Sequence, residues 1–165
     1  MPLLEKDRLV PDPWVAVGDD DPIPDQPAVL SPARLRRDAA ALAGRNAPLG
    51  LALPPGTQAE EVADLLPRVS LVLLRLGGFK DGRAFTQARA LRQHHGFAGE
   101  IRATGHVLPD QHLALLRCGV STVEVPEGAD LDQWRASREV VGIGYQAAMT
   151  PDRPLSLLRR RLALA

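Results

Sequence analysis

Residues 69–105 read VSLVLLRLGGFKDGRAFTQARALRQHHGFAGEIRATG. VSLVLLRL (69–76) is the strongest apolar run of the chain and is ended by Gly77-Gly78, so it reads as a buried strand. After the 77–83 loop, residues 84–95 carry a helical pattern that stops before Gly96. EIRATG (100–105) is the next strand. Strand, helix and strand with short links form a βα unit, in which a helix carries the chain back so that the two strands lie parallel.

The alternation extends both ways. Upstream, the short apolar run AVL (28–30) leads into Ser31-Pro32, a serine N-cap before a proline whose missing N–H costs nothing at the first helical position. That helix is expected from Pro32 to about Ala43, with Gly44 as its stop. LGLAL (49–53) is a buried strand closed by Pro54-Pro55-Gly56, and Thr57 with Glu60 is a capping box opening a helix through Leu66. Downstream, Pro109 starts a helix that runs to Cys118 and stops at Gly119, STVEV (121–125) is a strand, and about 130–137 is a helix.

About five such units predict an α/β fold: an open parallel sheet, or a partial (half) TIM-like barrel, with helices on its faces. Five units cannot close an eight-unit barrel, which takes about 250 residues. The exposed edge then needs cover from residues 1–27, residues 140–165 or another subunit, which leaves a homo-oligomer open. Residues 1–27 are rich in Pro and Asp and read as an irregular N-terminal arm or a hairpin of RLV and WVAV around PDP, with DDDPIPDQP as a solvated linker. Residues 28–165 form the single α/β domain, its motif-bearing part at 75–119. LSLLRRRLALA (155–165) is expected to be an amphipathic C-terminal helix with Arg159, Arg160 and Arg161 in a block.

A chain of 165 residues, 45% apolar and 24% charged, has ordinary globular composition for one domain. No window approaches eighteen consecutive apolar residues, so no membrane helix is expected. MPLLEKDRL lacks the basic stretch and apolar core of a secretory signal. With the single cysteine, Cys118, that points to a reducing cytoplasm. Twenty basic and twenty acidic residues cancel, so no global field favours nucleic acid or an anionic membrane. The distribution is uneven, however. Residues 1–27 carry seven acids and two bases, whereas 75–117 carry seven bases, three acids and all four histidines. Such a segment suits a small anion or an acidic partner.

Ligands of parallel α/β sheets bind beyond the carboxyl ends of the strands. The first loop there, Gly77 to Arg83, offers glycine backbone, Lys80, Arg83 and a following helix N-terminus, a candidate anion cradle. It is neither a Walker loop nor a dinucleotide turn. Its bland alternative is a plain connection with Asp81 capping and Arg83 solvated. Lys80, Asp81, Gly82, Arg83, Arg102 and Gln111 are the candidate anion-binding residues. Asp81, His106 and Asp110 are the weaker acid–base candidates, with His106 a proton donor near neutral pH. Asp110 in a first helical turn is equally explained by the macrodipole. Arg75, inside an apolar strand, must reach a carboxylate, a ligand or solvent, with Asp81 and Glu124 as candidate partners. Cys118 reads as a buried thiol, and His94-His95 as capping or solvated groups. No metal is expected, since histidine and cysteine lack ligand spacing. No flavin, nicotinamide or iron–sulfur motif is present, so no cofactor is expected.

The stretch FKDGRAFTQARALRQHHGFAGEIRATGHVLPDQHLALLRCG (79–119) resembles the bacterial family known as domain of unknown function 934, DUF934. The resemblance is carried by Asp81-Gly82-Arg83, Ala88-Arg89, Leu91-Arg92, Gly96-Phe97, Gly99-Glu100, Leu108, Asp110-Gln111 and Arg117-Cys118-Gly119, and extends to Trp14 and Tyr145-Gln146. His106 and Pro109 stand where the family pattern has an acidic and a basic residue, and Thr86 where it has Ser. The resemblance implies a setting beside sirohaem-dependent sulfite reductase in assimilatory sulfate reduction, with an oxidoreductase label and no established catalytic residues. Three functions follow as expectations. One is an accessory protein acting with sulfite reductase or its electron donor. The second is an enzyme of sulfur metabolism holding an oxyanion at the 77–83 loop, and the third a sensor or carrier of a small anion.

Overall fold

The computed structural model of the chain describes residues 1–140 together with Ala148 and Met149. Eight strands make one sheet: β1 (Leu3–Glu5), β2 (Arg8–Val10), β3 (Val15–Ala16), β4 (Ala28–Leu30), β5 (Leu49–Leu53), β6 (Leu71–Leu76), β7 (Glu100–Gly105) and β8 (Thr122–Glu124). Their spatial order is β2-β1-β8-β7-β6-β5-β4-β3. β3 to β8 run parallel, while β1 pairs antiparallel with both β2 and β8. The fold is therefore α/β, but its sheet is mixed rather than wholly parallel.

The antiparallel part comes from the N-terminal arm. Its hairpin joins β1 to β2 across Lys6, whose φ of 55° makes the tight turn, instead of joining RLV to WVAV. WVAV supplies β3 on the opposite edge of the sheet. The arm thus covers both edges of the βα core, β8 with β1 and β4 with β3.

This connectivity forces the sheet to curl. Seven strand spacings separate β2 from β3, which in a flat sheet would be about 34 Å. The chain has five residue steps from Val10 to Val15, a reach of about 18 Å at most. Only a curled, half-barrel sheet lets Pro11–Trp14 bridge its two edges.

The helices are α1 (Pro32–Arg37), α2 (Ala39–Leu42), α3 (Arg83–Gln93), α4 (His112–Arg117) and α5 (Leu131–Glu139). Leu51, Leu53, Val72, Leu74, Leu76, Ile101, Ala103 and Val123 form one apolar cluster with Leu35, Ala84, Ala88, Leu91, Leu115 and Trp134 of the helices. That is the convex face. Alternation then assigns Gly50, Leu71, Leu73, Arg75, Glu100, Arg102, Thr104, Thr122 and Glu124 to the concave face. A Cβ built on Gly50 would lie 3.1–3.3 Å from Val29, Trp14 and Leu71, so glycine lets Trp14 seat against the sheet there.

Three expected helices differ. Ser31 caps α1 through the Arg34 N–H at 3.1 Å, but the helix breaks at Asp38, whose carboxylate takes Arg34 Nε and Arg37 Nε, each at 3.0 Å. In place of the helix expected through Leu66 there are two 3-10 turns, Ala59–Val62 and Leu66–Arg68, and Pro67 has no N–H to close a helical bond back onto Ala63. The capping box lies one residue later than expected, with the Gln58 N–H on Glu61 Oε1 at 2.6 Å. The helix from Pro109 opens as a 3-10 turn, Pro109–Gln111, before α4. The expected C-terminal helix with Arg159–Arg161, and Tyr145-Gln146, lie outside the described residues. Among those residues no helix is long and apolar enough to cross a membrane.

Candidate functional site

The 77–83 loop lies beyond the carboxyl end of β6, and its charges turn inward on themselves. Asp81 accepts the Gly77 N–H at 3.3 Å and the Arg83 N–H at 3.2 Å, which closes the turn just ahead of α3, whose N-cap is Gly82. Arg83 Nε and Nη2 then fork onto the same carboxylate at 2.8 and 2.9 Å. This guanidinium holds the Asp81 carboxyl well below the usual carboxylate range, and Asp81 raises Arg83 in return. Arg83 is therefore exposed but already bound by a carboxylate. Gly82 has nothing within 4 Å of where a Cβ would lie.

Gln111 connects this loop to the next. Its Oε1 accepts the Leu108 N–H at 3.1 Å, and its Nε2 donates to the Phe79 carbonyl at 3.3 Å. The His106 N–H donates to Leu76 O at 3.0 Å, continuing the β6–β7 ladder into the loop. Two neighbouring loops are thus braced together, and between the braces Phe79 stands 59% exposed beside the exposed Lys80. His106 and Asp110 are also exposed on this rim.

Arg102 is elsewhere. It is 2% exposed and sits near the amino end of β7 on the concave face. Its Nη1 bridges both oxygens of Asp12 at 2.9 Å, and its Nε and Nη2 reach Glu100 at 3.0 and 2.9 Å. With Glu100 also accepting from the Thr122 hydroxyl, Arg102 is part of a closed network at the opposite end of the strands from the 77–83 loop. That network lines one side of a cavity of about 320 Å³ under Pro11, Pro13 and Trp14.

Arg75 reaches solvent, one of its three expected destinations. Neither proposed partner pairs with it: Asp81 is taken by Arg83, and Glu124 accepts from the Thr104 hydroxyl. Arg75 is exposed at the carboxyl end of β6. Cys118 is half-buried, and burial pushes its thiol up, which withholds the reactive thiolate.

Several residues gain their roles only in three dimensions. Arg92 donates to the carbonyls of Phe97, Gly99 (2.7 Å) and Gly119 (3.0 Å) and to Ser121 Oγ (2.9 Å), with its guanidinium 5.9 Å over the Phe97 ring. One side chain thereby ties α3 to the starts of β7 and β8. His112 is 1% exposed against Trp134, with Nδ1 3.5 Å from Trp134 O and no partner for Nε2 among the described residues. A helical spacing gave no sign of either role, because each depends on which distant loop the side chain meets.

The profile of a family described as bacterial protein of unknown function (DUF934) matches residues 50–156. Among curated proteins none matches the chain.

Proposed function

The chain belongs to the DUF934 family, and from that premise we propose that it is an accessory protein of assimilatory sulfite reduction, acting with sulfite reductase or its electron donor. The setting comes from the family resemblance. The observation that supports a docking role is Phe79, an aromatic held out to solvent by a loop that Asp81 closes and Gln111 braces. Exposed aromatics on preorganised backbone are the anchors of protein interfaces, because little side-chain or loop entropy is lost on binding. Lys80 beside it favours an acidic partner surface.

The Asp81–Arg83 fork weighs against the alternative, an enzyme or carrier holding an oxyanion at this loop. An incoming sulfite or sulfate would compete with a bidentate carboxylate already in place. Growth of a strain lacking the gene tests the proposal. Failure on sulfate and sulfite with rescue by sulfide or cysteine is the expected result. Normal growth on all four sulfur sources would overturn it. Co-purification with sulfite reductase or its donor, lost in Phe79→Ala/Lys80→Ala, would identify the docking loop.

A further inference from the structure

The concave face carries a second polar group, independent of the docking loop. β6, β7 and β8 are adjacent, and their register sets Arg75 beside Thr104, with Thr104 hydrogen-bonded to Glu124 on the far side. The row is therefore cation, hydroxyl, carboxylate, one residue per strand, with about 4.8 Å between strands. It lies at the carboxyl ends of the strands on the inside of the curl, where ligands of parallel βα sheets converge.

Each member keeps capacity for a ligand. Arg75 has no hydrogen-bond or ionic partner among the described residues, whereas Arg102, nearer the amino end of the same face, is saturated. The Arg75 stem lies against Gly105, where a Cβ would come 3.3 Å from Arg75 Cγ and 2.5 Å from Leu76 O. Glycine at φ +88° thus leaves room for the guanidinium to pass the strand end. Thr104 gives its proton to Glu124, so its oxygen still accepts, and the half-buried Glu124 keeps further lone pairs. One step toward the amino end, Ala52 and Leu73 pair across the same face and give an apolar floor.

Charge decides the ligand class. A simple oxyanion drawn to Arg75 would lie within two strand spacings of the Glu124 carboxylate and be repelled by it. A lone amine would meet the reverse conflict at Arg75. A molecule with a carboxylate at one end and an ammonium at the other satisfies both. We infer that the Arg75–Thr104–Glu124 row is a binding site for a small amino-carboxylate zwitterion, its carboxylate on the Arg75 fork and its ammonium on Glu124 and the Thr104 oxygen.

Thermal shift of the purified full chain with each of the twenty amino acids, and with acetate, methylammonium and sulfate as single-charge controls, tests this. At least one amino acid is expected to raise Tm where the three controls at equal concentration do not. Calorimetric titration with that amino acid should then give affinities about tenfold or more weaker in Arg75→Gln and in Glu124→Gln, the loss expected for a charge-assisted contact. Arg75 is exposed and Glu124→Gln still accepts from Thr104, so both variants should keep the wild-type Tm without ligand. No response to any amino acid, an equal response to acetate or sulfate, or undiminished binding in Arg75→Gln would each overturn the inference. None of these outcomes bears on the docking loop, whose test is growth and co-purification.

Discussion

Asp12 and Arg102 are 90 residues apart in sequence, yet Arg102 Nη1 lies 2.9 Å from both oxygens of Asp12. Asp12 belongs to the Pro11–Trp14 bridge between the two sheet edges, and Arg102 to the middle of the curled sheet. The pair therefore fastens the bridge across the amino end of the concave face. A buried arginine is costly without partners, and Asp12 with Glu100 provides them.

Removing either side of that pair should destabilise the fold unequally. Arg102→Met leaves two carboxylates without their cation, which is expected to cost about 3 kcal/mol or more. Asp12→Ala leaves Arg102 on Glu100 and should cost roughly 1–2 kcal/mol. Urea unfolding of both variants and of the double variant checks this. A double-variant loss equal to the sum of the single losses would mean the two groups do not interact.

Gly119→Ala should also be destabilising, by about 1–3 kcal/mol, because its φ of +100° disfavours any side chain. A Cβ there would stand 2.4 Å from Arg92 Cγ and push Arg92 off the carbonyls it joins. Gly44→Ala, with open space and no positive φ, is the control expected to leave stability nearly unchanged. Equal denaturation midpoints for the two variants would contradict this account.

How far the sequence could be read follows from the range of each interaction. LGLAL and EIRATG fall on β5 and β7 at their expected bounds, because apolar runs and glycine or proline stops are local signals. The pairing of the arm is not legible because three-residue strands carry too little pattern, and only the curl of the sheet brings β3 to its edge. Asp81 sits one residue ahead of the cap position its sequence suggests, its grip on Arg83 has no sequence signal, and Arg102, a candidate anion ligand by its charge, lies at the other end of the strands from Lys80 and Arg83. Adjacency along the chain says which strand a residue is on, not which end of the sheet its charge meets.

His112 should make the fold acid-sensitive. Burial lowers its pKa, with the nearby Arg138 adding to that and Asp7 and the Trp134 carbonyl opposing it. The unfolded chain, at an ordinary value near 6.5, then binds more protons than the folded one. Stability is therefore full above about pH 6.5 and falls as pH drops through the lower folded value. In His112→Phe the Trp134 carbonyl keeps the Ser137 hydroxyl at 2.8 Å, so no orphan is left. Its Tm should decline less between pH 6.5 and 5 than that of the wild type. Parallel melting curves would show His112 to be irrelevant.

At the 77–83 loop the positive charge is already bound. Two of the Arg83 nitrogens are on Asp81, so the pair presents little net field to an anion. Asp81→Asn keeps one acceptor oxygen, enough for the Arg83 N–H that Oδ1 now takes, gives up the longer Gly77 bond on Oδ2, and removes the competing negative charge. Sulfate should then raise Tm more in Asp81→Asn than in the wild type, and Arg83→Ala added to that variant should abolish the gain. Melting curves over a sulfate series, with chloride at matched ionic strength to remove general screening, give the comparison. A wild type that already binds sulfate more tightly than Asp81→Asn would mean that Asp81 orients Arg83 toward an anion instead of occupying it. The oxyanion reading of this loop would then displace the docking one.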